Sequence, residues 1–335
     1  MKIASFNVQR FGLAKISDPK VLSTLVKIVS RYDIIVIIEV TDVTGDSVDL
    51  FLKELNMANT ENHYTAKLSS RLGRTRYKEQ FLFLYRDSLV DLVDSYQYED
   101  NQAGDHDVFA REPYILRFRS HHTVLKDLVL IPVHTKPDDS VKELDELYDV
   151  FQTVKRKWNT DNIMILGDFN ADGSYVSERR MDDIRIRSDS NFHWLIGDDV
   201  DTTANITNDH TYDRIVVYGD DMLEAVVPNS ARPFNFHKEF NLTKGPGKST
   251  ALKVSDHYPV EVELRCESPH QARTQKRRSA SQNLHNPGFY SEVAVPAGSR
   301  NETLLTEVLE LKKAKLLLES EKLSLEIRKL KNKSE

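Results

Sequence analysis

The sequence predicts an α+β fold in which sheets pack against each other and helices lie outside them. Three observations carry this expectation. Strand and helix patterns alternate over roughly the first 265 residues, strands outnumber helices, and each clear helix has a single apolar stripe. Ile3–Val8 alternates with period two, and Ile34–Val40 is a nearly continuous β-branched run, the pattern of a buried strand. Between them, Ser17 or Asp18 can cap a helix with Pro19 in its first turn and Val21, Leu22, Leu25, Val26 and Val29 on its face. A second amphipathic helix aligns Leu144, Leu147, Tyr148, Phe151, Val154 and Trp158. The remaining strands are Phe81–Tyr85, Ile115–Phe118, Leu128–His134, Asn162–Gly167, Arg214–Tyr218 and Val260–Leu264, with no internal repeat.

At 335 residues, 39% of them hydrophobic, the chain can bury a sizeable core in one large domain or two modest ones. No apolar run approaches the ~20 residues of a membrane-spanning helix, so no membrane partner is expected. The start, Met1 to Asn7, has no basic segment followed by an apolar stretch of roughly 7–15 residues, so no secretory signal is read there. One cysteine, Cys266, permits no internal disulfide. Together these favour a reducing compartment, nucleus or cytoplasm; secretion is the alternative if a leader precedes this sequence. The net charge of −6 is uneven: residues 266–335 hold 13 basic and 9 acidic residues, leaving 33 and 43 in the first 265. An acidic globule is not drawn to nucleic acid by bulk charge, so local arginines and divalent cations would have to do the attracting.

Composition changes after Leu264. Residues 266–300, rich in Ser, Gln, Asn, Pro and Arg, read as a flexible basic linker, and its Lys276-Arg277-Arg278 triplet is a solvated surface or a nuclear-import address. Residues 301–335 read as helical. Leu309, Leu316, Leu323 and Leu330 recur every seven residues, and Leu304, Leu311, Leu318 and Leu325 form a second row. This is the pattern of a coiled coil, giving a homodimer, or of a helix that docks on a partner protein.

Acids, amides and histidines gather at the strand ends. Asn7 follows the first strand and Glu39 ends the second; His134 ends Leu128–His134; Asp168 and Asn170 follow Asn162–Gly167; Asp256 and His257 precede the last strand. Hard oxygen donors suit Mg²⁺, Mn²⁺ or Ca²⁺ rather than Zn²⁺. Two histidines add groups able to move protons near neutral pH. Taken singly, each is an ordinary turn former or strand-end polar residue. Their joint placement is what a phosphodiester hydrolase needs.

The chain resembles the deoxyribonuclease I family over essentially residues 1–265. The matching segments are K-I-A-S-F-N (Lys2–Asn7), R-Y-D-I-I-V-I-I-E-V (Arg31–Val40), L-G-R-x-x-Y-K-E (Leu72–Glu79), R-E-P (Arg111–Pro113), G-D-F-N-A-D (Gly167–Asp172), Y-D-R-I-V-V (Tyr212–Val217) and S-D-H-Y-P-V-E-V (Ser255–Val262). The G-D-F-N and S-D-H pieces are shared with the wider endonuclease/exonuclease/phosphatase superfamily, whereas Y-K-E, R-E-P and Y-D-R in this order mark the deoxyribonuclease I branch. The resemblance implies a four-layer αββα sandwich with the site at the edge between the sheets. It implies His134 with Glu79, and His257 with Asp213, as acid–base couples. It implies a divalent-metal site at Glu39 assisted by Asp168, Asn7 and Asp256. Asn170 and Arg111 would contact phosphate, and Tyr77 would pack on a deoxyribose in the minor groove. Structural Ca²⁺ sites would match Asp100, Asp107 and Glu112, and Asp201 with Thr203 and Thr207.

Several positions depart from the family pattern. Thr41 stands where an arginine reaches into the minor groove, and Gln9 where one meets phosphate, with Arg10 adjacent. Gly173 replaces the first cysteine of a disulfide near the site; its second lies in a loop here reading Asn208-Asp209-His210-Thr211, one residue longer. Asn101–Asp105 lacks the small exposed disulfide, and the tail has no counterpart in the secreted enzymes. The expected function is divalent-metal-dependent endonuclease action on DNA, with weak sequence preference and 5′-phosphate products. The alternatives are a phosphatase or sphingomyelinase of the same superfamily, and a non-catalytic adaptor that presents the helical tail.

Overall fold

In the computed structural model, residues 1–100, 107–173, 175–205, 209–242 and 250–267 are described. They belong to one compact unit, Met1–Arg273; the linker and heptad helix expected at 266–335 lie outside the described residues from 268 onward. One six-stranded sheet joins β1 (Lys2–Phe11), β2 (Ile34–Val40), β3 (Tyr64–Leu68), β4 (Gln80–Arg86), β11 (Arg232–Pro233) and β12 (Val260–Glu263), in the order β11-β12-β1-β2-β4-β3. The other joins β5 (Val90–Gln97), β6 (Tyr114–Ser120), β7 (Asp127–His134), β8 (Ile163–Asp168), β9 (Phe192–Trp194) and β10 (Asp213–Tyr218), in the order β5-β6-β7-β8-β10-β9. Both sheets are mixed, with β1 parallel to β2 and β7 parallel to β8.

Period-two alternation explains the layers. In β1, Ala4, Phe6 and Val8 face outward to α1 (Leu13–Ile16), α2 (Pro19–Val29) and α3 (Asp46–Ala58) in one core cluster. Ile3 faces inward and shares a cluster with Leu116, Leu130, Leu166 and Ile215 of the other sheet. The outer face of the second sheet, with Val129, Ile131 and Ile165, is covered by α4 (Ser140–Trp158) through Leu144, Leu147, Phe151 and Val154. Three apolar clusters between four layers give the αββα sandwich. Each fully buried Leu, Ile or Phe contributes about 1.5–3 kcal/mol to holding the layers together.

Asp18 caps α2, accepting from the amide of Lys20, and Pro19 opens the first turn. Helix α3 was not anticipated. Its N-cap is Gly45 in a left-handed conformation (φ 89°) without a side-chain cap, so the usual start signal is missing. Strand β5 is not marked by the sequence pattern either, because in this edge strand only Val90 is buried and its alternation is weak. The domain runs slightly past the boundary read from composition: the amide of Glu267 donates to the carbonyl of His122 (2.8 Å), and Cys266 bridges Thr123. Among the described residues no helix is long and apolar enough to cross a membrane.

Candidate active site

The polar cluster caps one end of the inter-sheet core. Asn7 lies on the inward face of β1 after Ile3 and Ser5; His134 follows Leu128 and Leu130; Asp168 follows Met164 and Leu166; Asp213 precedes Ile215 and Val217. Register aligns them, since His134 pairs with Asp168 across the parallel β7–β8 ladder and Asp213 with Asp168 across β8–β10. Gly167 permits the close approach of β7 and β8. A Cβ there would fall 2.0 Å from the carbonyl oxygen of Val133.

Strict alternation would send Glu39 into the outer core with Ile35 and Ile37. Instead the β2–β4 register shifts between Ile37 and Val40, and Glu39 adopts φ 62°. Val40 then takes the core position and Glu39 swings into the cleft, a left-handed strain of about 1–3 kcal/mol at a functional position.

Asp168 is the hub. Its Oδ2 accepts from Asn7 Nδ2 at 3.0 Å and lies 3.7 Å from His134 Nε2 and 3.8 Å from His257 Nε2. Asn7 Nδ2 also donates to Glu39 Oε1 at 3.0 Å within the first sheet, while its bond to Asp168 joins the two sheets. His134 Nδ1 donates to Glu79 Oε2 at 2.8 Å, and Glu79 receives Arg111 through Nε (2.7 Å) and a terminal nitrogen (3.0 Å). His257 Nδ1 donates to Asp213 Oδ2 at 2.7 Å. Burial disfavours the His134 cation, but the hydrogen bond to Glu79 and the charges of Glu79 and Asp168 outweigh it and raise the pKa. Burial likewise opposes charge on His257, yet Asp213, Asp168 and Asp256 raise it well above the ordinary value. Burial pushes Asp213 upward as well; with three carboxylates around one imidazole, the proton of this pair rests on His257.

The other expected residues are placed unevenly. Tyr77, Arg111 and Asn170 line an open cleft of about 960 Å³ together with Glu39, Glu79, His134, Asp168 and His257. Burial and the charges of Glu79 and Glu39 push the Tyr77 phenol up to about 12, so it stays neutral. Arg111 is held by Glu79 at the cleft wall, and Asn170 donates from Nδ2 to the carbonyl of Thr135 (3.1 Å). Asp256 stands apart from the hub: its Oδ2 accepts from Gln9 Nε2 (2.9 Å), while its Oδ1 is buried without a partner. The amide of Gln9 donates to Asn7 Oδ1. This Gln9 link between Asn7 and Asp256 was not read from sequence, where Gln9 looked only like a lost arginine.

The donor set fits a hard divalent cation. Glu39 and Asp168 present carboxylate oxygens to the cleft and the buried Oδ1 of Asp256 has no hydrogen-bond partner, while Asn7 turns its Nδ2 to the two carboxylates and its Oδ1 to the Gln9 amide. Asp168, Asp213 and His257 form a second grouping, with ligand atoms within 4.8 Å of one another. Away from the cleft, Asp100 accepts from the amides of Val108 and Phe109, and its Oδ1 is also buried and orphaned. Asp107 pairs with Arg74, and burial together with the charges of Asp107 and Asp100 raises the Glu112 pKa. Asp201 accepts from the amide and hydroxyl of Thr203; Thr207 lies outside the described residues.

Residues 4–257 match the Endonuclease/Exonuclease/phosphatase family, which sets the class of fold and site. Human deoxyribonuclease gamma is 45% identical over 265 residues, covering 79% of this chain and 86% of that protein. Deoxyribonuclease-1 of Bos taurus is 44% identical over 265 residues, covering 79% and 92%. The chain belongs to the deoxyribonuclease I branch of this family. The fold is also similar to the catalytic domain of human Nocturnin (TM-score 0.54, 12% identity, 80% of this chain and 93% of that one). It is similar too to an endonuclease/exonuclease/phosphatase from Bacteroides vulgatus (TM-score 0.51, 14% identity, 79% and 98%).

Proposed function

We propose that this chain is a divalent-metal-dependent endonuclease that hydrolyses phosphodiester bonds of duplex DNA, with weak sequence preference and 5′-phosphate products. One observation carries the reading: two histidine–carboxylate couples, His134 buried and His257 half-buried, face each other across Asp168, each with Nε2 within 4 Å of its Oδ2. One imidazole accepts a proton from the attacking water. The other donates a proton to the departing 3′ oxygen as the P–O bond breaks. Glu79 and Asp213 fix the rings through Nδ1, leaving each Nε2 directed at the reacting atoms. Glu39, Asp168, Asn7 and Asp256 would hold Mg²⁺ or Mn²⁺, which supplies charge stabilisation at the phosphate. Arg111 and Asn170 meet phosphate oxygens, and Tyr77 packs on a deoxyribose. Asp100, Asp107 and Glu112, and Asp201 with Thr203 and Thr207, would hold structural Ca²⁺.

The couples are complete, which favours catalysis over an adaptor role. Residues 1–265 form the nuclease domain, 266–300 a linker, and 301–335 a helix that self-associates or docks on a partner protein. With leucine at each d position of the heptads, Thr306, Lys313 and Ser320 occupy three of the four a positions and weaken the seam. Nucleus or cytoplasm is the compartment that suits a chain with one cysteine.

Plasmid nicking with Mg²⁺ and Ca²⁺, with and without chelator, tests the activity. Cleavage should vanish with chelator, and His134→Ala and His257→Ala should each lower it by about 10²–10⁴-fold while the variants keep the native circular dichroism spectrum. Near-normal activity in either variant overturns the assigned roles, and no cleavage by the wild type with either metal restores the adaptor reading. Sedimentation of the full chain against a form ending at Glu267 tests the tail; a full chain that stays monomeric at tens of micromolar (on the order of 10⁻⁵ M) excludes the dimer.

A further inference from the structure

We propose that Arg10 and Lys253 form a second phosphate-gripping wall of the cleft, on the first-sheet side, which holds the DNA backbone away from the scissile bond. The inference rests on the nuclease reading. In β1 the alternation of Ala4, Phe6 and Val8 would carry residue 10 into the outer core. Gln9 and Arg10 instead adopt left-handed φ values of 53° and 62°, the β1–β2 register shifts between Asn7 and Phe11, and Phe11 fills the core position. Two non-glycine residues in this region cost about 1–3 kcal/mol each. The result is an exposed guanidinium lining the cleft and hydrogen-bonded to the Tyr77 side chain, while the Arg10 amide donates to Glu39 Oε2 at 3.1 Å. Gln9, by contrast, is turned onto Asp256 and has no charge to offer.

Lys253 lines the same cleft from the short helix Thr250–Val254, with its side chain 54% exposed and paired only loosely with Asp18 (3.7 Å). Lys15 also lines this wall, but its ammonium is bound to the carbonyls of Val8 and Val254 at 2.6 Å each, which is a structural task. Arg10 and Lys253 can therefore turn to a ligand, and the ligand chemistry is set by the surroundings. The centre of the cleft is rich in carboxylates and repels a phosphate chain, so cations at its rim are needed to seat a polyanion. Arg111, from the segment before β6, serves the other side.

The test uses the full chain with Arg10→Ala, Lys253→Ala, the double variant, Arg10→Lys, and Lys53→Ala as a cation outside the cleft. Duplex cleavage with Mg²⁺ across a salt series gives kcat and KM, and fluorescence anisotropy of a duplex oligonucleotide in EDTA gives binding without cleavage. Each single substitution should raise KM about three- to tenfold, keep kcat within about twofold, and lower the salt slope by roughly 0.9. The double variant should lower the slope by about twice that, while Arg10→Lys retains it and Lys53→Ala changes neither quantity. Unchanged KM and slope in the double variant overturn the proposal. A fall in kcat at unchanged slope also overturns it, making Arg10 a brace for Glu39. If the wild type fails to cleave DNA, the nuclease reading fails separately, and equal affinity of wild type and double variant in EDTA still overturns the rim.

Discussion

The two histidine couples are built from the same parts but secured differently. His134 sits in a charge-balanced chain, Arg111–Glu79–His134, in which both Glu79 oxygens have partners and the carboxyl is held below its ordinary pKa despite burial. Asp213 is fully buried, has no arginine, and leaves Oδ1 unpartnered. In place of an arginine the second couple has neutral fastenings besides the carboxylates near His257: Ser255 Oγ accepts from the His257 amide, Thr202 Oγ1 accepts from the Asp213 amide, and Tyr212 lies 6.2 Å from the His257 ring. One side is fastened by charge and the other by hydroxyls and ring packing. The same chemistry can thus rest on supports that fail under different insults.

Isosteric neutralisation of each carboxylate should break the symmetry most strongly. Glu79→Gln leaves Arg111, 17% exposed, without its counter-charge, and should lower stability by about 3–5 kcal/mol as well as activity. Asp213→Asn also breaks an ion pair, but Asp168 and Asp256 still face His257, so the loss should be smaller, about 1–3 kcal/mol. Cleavage should still fall by about 10²-fold or more. Equal melting losses in the two variants would show that both couples depend on ion pairing alike.

A second difference lies beneath the first couple. Glu143 of α4 is 1% exposed and accepts from the amides of Lys136 and Ala110, clipping the segment after His134 to the one before Arg111. Burial outweighs those hydrogen bonds and the nearby Arg111 and Arg74, and pushes its carboxyl up to about 7. The folded state therefore holds this proton more tightly than the unfolded chain, so its contribution is intact below the ordinary carboxylate range. It is lost as pH rises through about 7, by roughly 3 kcal/mol at most. Glu143→Gln should flatten the difference in stability between about pH 5 and pH 8, whatever offset it adds. An unchanged pH profile would mean that Glu143 is ionised throughout.

Much of this frame was legible in the sequence, and the gaps have physical causes. Period two and the Asp18–Pro19 start signal placed β2, β7, β8 and α2 within a residue or so, because burial on a fixed face leaves a regular trace. Residue chemistry marked the strand ends, but the pairings of His134 with Glu79 and of His257 with Asp213 came from the resemblance. Those partners are 55 and 44 residues apart, beyond any local pattern. The bulges at Gln9–Arg10 and Glu39 were invisible, since alternation assigns those positions to the core and only the register shifts eject them. Glu143 read as one more polar residue on an amphipathic helix.

The weakest expected effect probes the support of the second couple. Gly173 adopts φ 61°, where an alanine costs about 1 kcal/mol in backbone strain. An added Cβ would also lie 2.9 Å from His210 Cε1. That ring is not free to leave: it stacks on Tyr212 (4.8 Å, 26°), which lies next to His257, and its Nδ1 is 3.3 Å from Asp172 Oδ2. Gly173→Ala should therefore lower stability by roughly 1–2 kcal/mol, more than backbone strain alone. His210→Ala, which removes a partly exposed ring, should cost about 0.5–1 kcal/mol. In the double variant the steric part disappears, so the loss should fall short of the sum by about 0.5 kcal/mol or more. Thermal melts of the four proteins close the cycle. Strict additivity would mean that His210 yields freely and that the ring stack does not brace His257; a coupling of the expected sign would show that packing here does what Arg111 and Glu79 do by charge across the cleft.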